Sequence, residues 1–388
     1  MPIEFGIFDH IERIPGVSLQ QLYRDRLEFI QVAERGGFSG YHLAEHHGSQ
    51  LCMAPQQAVF LAAVAQATAR LRLGPLVFCL PLHHPLRLIE DICMLDNLSG
   101  GRLDVGIGRG VGFAEHFFFG HADSEARERF EEVLEIVVQG LTTGTIDNRN
   151  RKFHDFPEIN LYMEPVQEPY PPLWYPGNLE YAARRGLNFL FPFARVSKQL
   201  SELYRQMWAE HRHDPGRLNP HVTTPKLAST HMLCVAETDE EARRIGHRAW
   251  GTLKHNIWSV HWYEPQVLTE LPTAHYEFLQ KAFGSGTQAE KTGSLVIGSP
   301  DTVREYFTQY AGEGNIDYLV TAFPFGDMTH EEAMRSLQLF IDEVMPAVRR
   351  VGRGSASPLA TVTPSEDKGP VEDAREAGQA MRPSVRPR

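Results

Sequence analysis

The chain has 388 residues, is 42% hydrophobic and carries a formal charge of −11, which is apolar material enough for one large α/β barrel or two ordinary domains. That negative balance argues against a nucleic-acid or anionic-membrane surface, since either would repel it. The four cysteines Cys52, Cys79, Cys93 and Cys234 show no CxxC and read as reduced thiols of a cytoplasmic protein. No run approaches the roughly 18 apolar residues of a membrane span.

Short β-type runs alternate with helical patterns from residue 3 to about residue 350, the rhythm of βα units around a parallel sheet. Strand one is Ile3–Phe8. Helix one opens at the Ser18 cap, repeats Leu19, Leu22, Leu27, Ile30 and Ala33, and stops at Gly36-Gly37. Strand two is Gly40–Ala44. Helix two starts near Pro55, which suits a first helical turn, and carries the alanine stripe Ala58, Ala62, Ala65 and Ala69. Strand three, Leu73–Leu80, is nearly all apolar, as expected of a strand covered on both faces. Helix three covers Leu86–Leu98, strand four Leu103–Ile107, and helix four Ser124–Leu141. The proline-rich stretch Thr142–Pro172 is an excursion over the sheet. Strand five (Leu173–Tyr175), a helix through Arg184-Arg185-Gly186, strand six (Phe189–Phe191) and a polar helix from Ser197 follow. Strand seven is Ser229–Ala236 and strand eight Tyr318–Ala322, with a last helix over His330–Val348. Eight such runs suit a (β/α)₈ barrel better than an open doubly wound sheet.

Two regions break the rhythm. Thr252–Gly293, between strands seven and eight, is long and aromatic (Trp258, Trp262, Tyr263, Tyr276) and ends in Gly284-Ser285-Gly286-Thr287, the make-up of an active-site lid or of a surface embellishment. Residues 352–388 are rich in Pro, Ser, Gly and charge and are expected to be a disordered tail. The expected domain is therefore 1–351.

Three stretches carry chemistry. Glu45-His46-His47 ends strand two, at the catalytic mouth of a barrel; an imidazole there serves as acid or base, and an adjacent carboxylate can fix its tautomer. Neighbouring His and Glu are also zinc ligands, but successive strand residues face opposite ways, so no metal is expected. Gly106, Gly108 and Gly110 flank Arg109. They permit a flat ligand or a phosphate to approach the backbone, or else form a tight turn beside a solvated arginine. This run is not the dinucleotide fingerprint, because no helix is expected directly after it. His83 and His84 read as packing and hydrogen-bonding residues.

Glu45–His47, His84-Pro85, Glu90-Asp91, Leu95–Arg102 and Gly106–Gly110 occur in this order, and together they resemble the luciferase-like flavin monooxygenases, strongly to Gly120 and more thinly to residue 345. The resemblance implies the eightfold barrel with FMN at the carboxyl ends of the strands. It implies a catalytic His46 oriented by Glu45, and Leu76-Val77 behind the flavin ring, where the family often has a non-proline cis peptide. Arg109 and the backbone of Val111 would approach the cofactor phosphate. The family's second phosphate contact, a Ser-Pro-Glu-Ser-type turn, is replaced here by Tyr175-Pro176-Gly177-Asn178-Leu179. What is left there is the exposed amides of a helix start, so Tyr175, Asn178 and Leu179 are the candidate contacts. The implied reaction uses reduced FMN from a separate reductase and dioxygen to oxidise a small or medium apolar aldehyde, ketone, hydrocarbon or thioether. The alternatives are a deazaflavin-dependent hydride-transfer enzyme and a non-catalytic flavin-binding subunit. Family members commonly pair through helix two, so a homodimer is expected; packing of the alanine stripe on its own barrel accounts for the same periodicity.

Overall fold

The computed structural model describes residues 3–111, 113–259, 283–313 and 315–352. Its sheet runs β1 (Glu4–Asp9), β2 (Gly40–Leu43), β3 (Arg72–Pro75), β4 (Phe78–Cys79), β5 (Val105–Gly108), β8 (Leu173–Tyr175), β9 (Asn188–Phe191), β10 (Leu227–Val235), β11 (Leu295–Gly298) and β12 (Tyr318–Ala322); β6 (Thr145–Ile146) and β7 (Ile159–Asn160) form a separate hairpin. Every pairing in the main sheet is parallel, in the order β3-β2-β1-β12-β10-β9-β8-β5-β4, with β11 beside β10. Because β3 and β4 are two halves of one strand, the order closes on itself, and a Leu73–Leu103 bridge joins β3 to the start of the next strand. This is the eightfold α/β barrel.

The helices follow from local chemistry. In α1 (Leu19–Arg35) the Ser18 hydroxyl accepts from the Gln21 amide, while Leu22, Phe29, Ile30 and Ala33 are buried against the sheet. The next two are α2 (Gln57–Ala67) and α3 (Pro85–Ser99); α3 opens on a proline at its first turn and ends at Gly100, φ +65°. Around the rest of the barrel run α4 (Phe113–Phe118), α5 (Ala126–Thr143), α6 (Leu179–Arg185), α7 (Lys198–Glu210), α8 (Asp239–Ser259) and α9 (Gly286–Thr292). The last three are α10 (Pro300–Gly312), α11 (His330–Leu339) and α12 (Met345–Gly352). A capping box between Thr329 and Glu332 starts α11. No described helix is long and apolar enough to cross a membrane.

Several boundaries differ from the sequence reading. Strand three is not continuous: it breaks at Leu76-Val77, a cis peptide, and Leu80–Leu82 already turns toward α3. A short helix, α4, does follow the glycine run, three residues after Gly110. Both β11 and α10 lie between Gly293 and strand eight, where the sequence reading placed no element; LVIG is too short to stand out beside Gly293-Ser294. Of the alanine stripe, Ala65 is buried in its own core and Ala69 lies past the end of α2; the large hydrophobic side chains that α2 and α3 leave exposed are Val59, Met94 and Leu98. Trp262, Tyr263, Tyr276 and residues 353–388 lie outside the described residues.

Candidate functional site

The carboxyl ends of the strands surround a cavity of about 630 Å³, where a barrel of this type places its chemistry. Two clusters line it. One is built from the ends of β1, β2 and β9: Phe8, His10, His46 and Phe193 are in ring contact with one another. The other comes from β5, β8 and their following helices: Arg109, Arg127, Phe130, Glu131, Tyr175 and Tyr181.

His46 follows β2, and its Nδ1 lies 3.1 Å from Oε1 of Glu115 on α4. The same oxygen accepts the His47 amide at 2.8 Å. A carboxylate only accepts, so Nδ1 carries the proton and Nε2 is left with the lone pair, a tautomer fit for taking a proton from a ligand. The orienting carboxylate is therefore Glu115 and not Glu45, which corrects the reading made from adjacency in sequence. Glu45 turns to the other side. Its oxygens accept from His47 Nε2 at 2.9 Å, His83 Nε2 at 2.9 Å and the Cys79 amide at 2.8 Å. Burial pushes the Glu45 carboxyl up, but the His83 charge and these hydrogen bonds outweigh it and hold the group at about 2. His83 is correspondingly raised: burial lowers it and Glu45 more than restores it. Glu45 lines the cavity as the hub of a buried network that fixes the loop after β4 against the loop after β2.

The floor is apolar. Leu76 and Val77 both line the cavity, and the Gln57 amide clamps their turn by donating to the carbonyls of Leu43 at 2.6 Å and Val77 at 3.2 Å. The glycines of β5 are needed for packing: a Cβ on Gly108 would sit 2.5 Å from Val77 Cγ2, and one on Gly106 2.5 Å from the Pro75 carbonyl. They admit the neighbouring strand, not a ligand, whereas Gly110, at φ +84°, makes the turn that follows.

Arg109 and Arg127 have no ion-pair partner within 4.0 Å among the described residues; the nearby Glu131 is approached instead by Tyr181 Oη at 3.3 Å and Arg185 at 3.9 Å. Val111 lines the same end with an exposed side chain. Tyr175 lines it too, its hydroxyl pushed up by burial. Asn178 lines it and caps α6, its Oδ1 accepting from the Tyr181 amide at 2.8 Å. Leu179 does not reach the cavity: its side chain packs on the barrel core. Two unpaired guanidiniums and a helix start are the donor set for a phosphate, and the flat apolar floor suits a ring system, so these residues fit a flavin mononucleotide. Among the described residues no group of three or more His, Cys, Asp or Glu could hold a metal ion.

The sequence reading missed Glu115, His10, Arg127, Thr230 and Phe193. His10 carried a usable signal, since it directly follows strand one at the same barrel mouth as His46. Arg127 and Glu115 sit on helices, where nothing in sequence tells which residues turn inward.

Residues 3–315 match the family described as luciferase-like monooxygenase. The chain is 26% identical over 356 residues to the oxygenase component of flavin-dependent trigonelline monooxygenase from Acinetobacter baylyi, covering 89% of this chain and 95% of that protein. It is 27% identical over 358 residues to the alkanal monooxygenase alpha chain of Photobacterium leiognathi, covering 86% and 96%. In fold it superposes with TM-score 0.70 and 20% identity on the oxygenating constituent of 3,6-diketocamphane monooxygenase of Pseudomonas putida in complex with FMN, covering 89% of this chain and 98% of that one.

Proposed function

This chain belongs to the luciferase-like monooxygenase family and is an oxidoreductase of that family, and from that premise we propose that it is the oxygenase component of an FMN-dependent monooxygenase. The observation that carries the reading is the His46–Glu115 pair, opening onto a cavity whose other cluster holds two unpaired guanidiniums. Arg109, Arg127, the backbone at Val111 and Asn178 before α6 would hold the FMN phosphate. Leu76 and Val77 would support the ring, and Tyr175 its side chain. The bound flavin, reduced by a separate reductase, supplies the electrons that activate dioxygen. His46 moves a proton at Nε2, with Glu115 holding its tautomer, while Phe8, Leu190 and Phe193 keep water from the reacting centre. The substrate is a small or medium molecule, mostly apolar.

Titration of the full chain with FMN and with deazaflavin, each oxidised and reduced, followed by admission of air, tests this. Tight binding of reduced FMN with a rapid oxygen reaction supports the monooxygenase. Preference for deazaflavin without an oxygen reaction moves the protein to hydride transfer, and binding neither removes the catalytic reading. We also propose a homodimer through the face of α2 and α3 that exposes Val59, Met94 and Leu98. Sedimentation at micromolar protein should show a dimer that Val59→Glu/Met94→Glu converts to a folded monomer; a monomeric parent chain would contradict it.

A further inference from the structure

The histidine cluster contains polar groups that the reading above does not use. His10 is 5% exposed and lines the cavity, yet makes no side-chain hydrogen bond with any described residue. Burial, and then His46, hold its imidazole far below the usual histidine range, so it stands neutral, with one nitrogen to donate and one to accept. Its ring is fixed from three sides: Phe8 edge-on at 4.8 Å, His46 at 5.7 Å, and Phe193 stacked at 6.4 Å with 19° between planes. The backbone on either side of that stack is unusual. Ile11 and Phe193 have φ of +52° and +51°, a region that side chains of this bulk rarely adopt. Ile11 is held there by its amide donating to Asp9 Oδ1 at 2.8 Å, and Asp9 is anchored by Arg26 at 2.9 Å and Tyr41 at 3.1 Å. Thr230 on β10 lines the same cavity, is 1% exposed, and its hydroxyl has no partner among the described residues. Buried polar groups are ordinarily paired, and each one left open lowers stability unless a ligand satisfies it.

We propose that His10 and Thr230 form a substrate subsite beside His46 that receives an uncharged oxygen, a carbonyl or a hydroxyl, carried on an otherwise apolar molecule. This rests on the oxygenase reading and narrows it. A hydrocarbon or thioether would leave both groups buried and unpaired, which is how a polar site rejects the analogue that lacks its partner. A carboxylate is excluded for the opposite reason: the cluster of Phe8, His10, Leu190, Phe193 and Thr230 offers no cation, and a neutral imidazole does not compensate a desolvated charge. The two free arginines belong to the other cluster. The stacked Phe193 and edge-on Phe8 give the subsite flat walls, so a planar group bearing that oxygen fits best.

Three probes of one shape separate these cases: acetophenone, its hydrocarbon isostere α-methylstyrene, and benzoate, with 1-phenylethanol as the hydroxyl arm. Their dissociation constants are measured calorimetrically on the full chain, both FMN-saturated and flavin-free. The parent chain should prefer acetophenone or 1-phenylethanol over α-methylstyrene by roughly 10-fold, and benzoate should bind worst. His10→Leu should reduce that preference to within about 2-fold while leaving α-methylstyrene affinity in place, and Thr230→Val should reduce it by a smaller factor. His10→Gln, which keeps a donor and an acceptor, should retain part of it, and it decides the matter with Thr230→Val if the leucine variant does not fold. An unchanged preference in the variants, tightest binding of benzoate, or no binding of any probe overturns the subsite. Failure of the parent chain to bind FMN, with the probe preference intact, would instead overturn the flavin reading alone.

Discussion

The two ends of the barrel treat their polar groups in opposite ways. At the amino ends of the strands, polar side chains close on one another. Arg72 takes both oxygens of Asp104 at 2.9 Å and the Leu103 carbonyl at 2.7 Å. Tyr318 Oη lies 2.9 Å from His42 Nε2, Arg205 grips both oxygens of Asp317 at 2.9 Å, and Lys226 meets Glu4 at 2.8 Å. At the carboxyl ends, among the described residues, the Thr230 hydroxyl has no hydrogen-bonding partner, the His10 ring makes no side-chain hydrogen bond, and Arg109 and Arg127 make no ion pair; all four line one cavity. A pair closed far from the cavity contributes stability, whereas an open group facing the cavity is free to be completed by a ligand, so on the function proposed above the first end holds the barrel and the second binds.

Substitutions at the two ends should therefore separate into two kinds. The largest effect is expected for His46→Ala, which should lower turnover by about 10²–10⁴-fold while FMN affinity changes by less than about 3-fold. A variant with full turnover would sink the proton-transfer role. Glu115→Gln, whose amide can donate to Nδ1 as well as accept from it and so no longer fixes the tautomer, should cost about 10–100-fold in the same assay. At the opposite end, Asp104→Ala strands the Arg72 guanidinium and should lower the unfolding free energy by about 2–4 kcal/mol, less than a fully buried pair because Arg72 is partly solvated. Turnover per folded molecule should not change, and lost turnover at unchanged stability would break the comparison.

Glu45 belongs to the cavity end but behaves like the closed groups, and its pH dependence sharpens the point. Its folded value of about 2 lies below the 4.5 of the free side chain. Its ionised form thus contributes about 3 kcal/mol, present above pH 4.5 and lost as pH falls toward 2. The stability gap between the parent chain and Glu45→Gln in urea titrations should be full at pH 5–6 and shrink below pH 4. A gap that is constant down to pH 3 would mean that Glu45 is not held ionised by His83.

The barrel was legible because its strands are short apolar runs at regular spacing, and seven of the eight fell within a few residues of their observed places. The third did not, since a break inside an apolar run leaves no trace in hydropathy. The same limit explains β11, four residues long. Of the residues that line the cavity, His46 and Arg109 were legible because each lies just past the end of a strand, at the mouth where a barrel gathers its loops. Glu115 was not, because a helical carboxylate 69 residues away becomes a partner only through tertiary packing. Adjacency offered Glu45 in its place, yet neighbours on an extended segment point apart. Arg127 and Thr230 were hidden for the same reason: being open rather than paired is a property of the fold.

The most direct test of the two-cluster cavity compares reduced FMN with reduced riboflavin, which lacks only the phosphate, on the parent chain and on Arg109→Ala/Arg127→Ala. The parent should bind FMN more tightly by roughly 10–100-fold, as expected for a charge-assisted phosphate contact, and the double variant should bind the two ligands about equally with riboflavin affinity unchanged. Equal binding by the parent chain, or a phosphate preference that survives loss of both arginines, would contradict the placement of the cofactor and, with it, the assignment of His46 to the reacting centre.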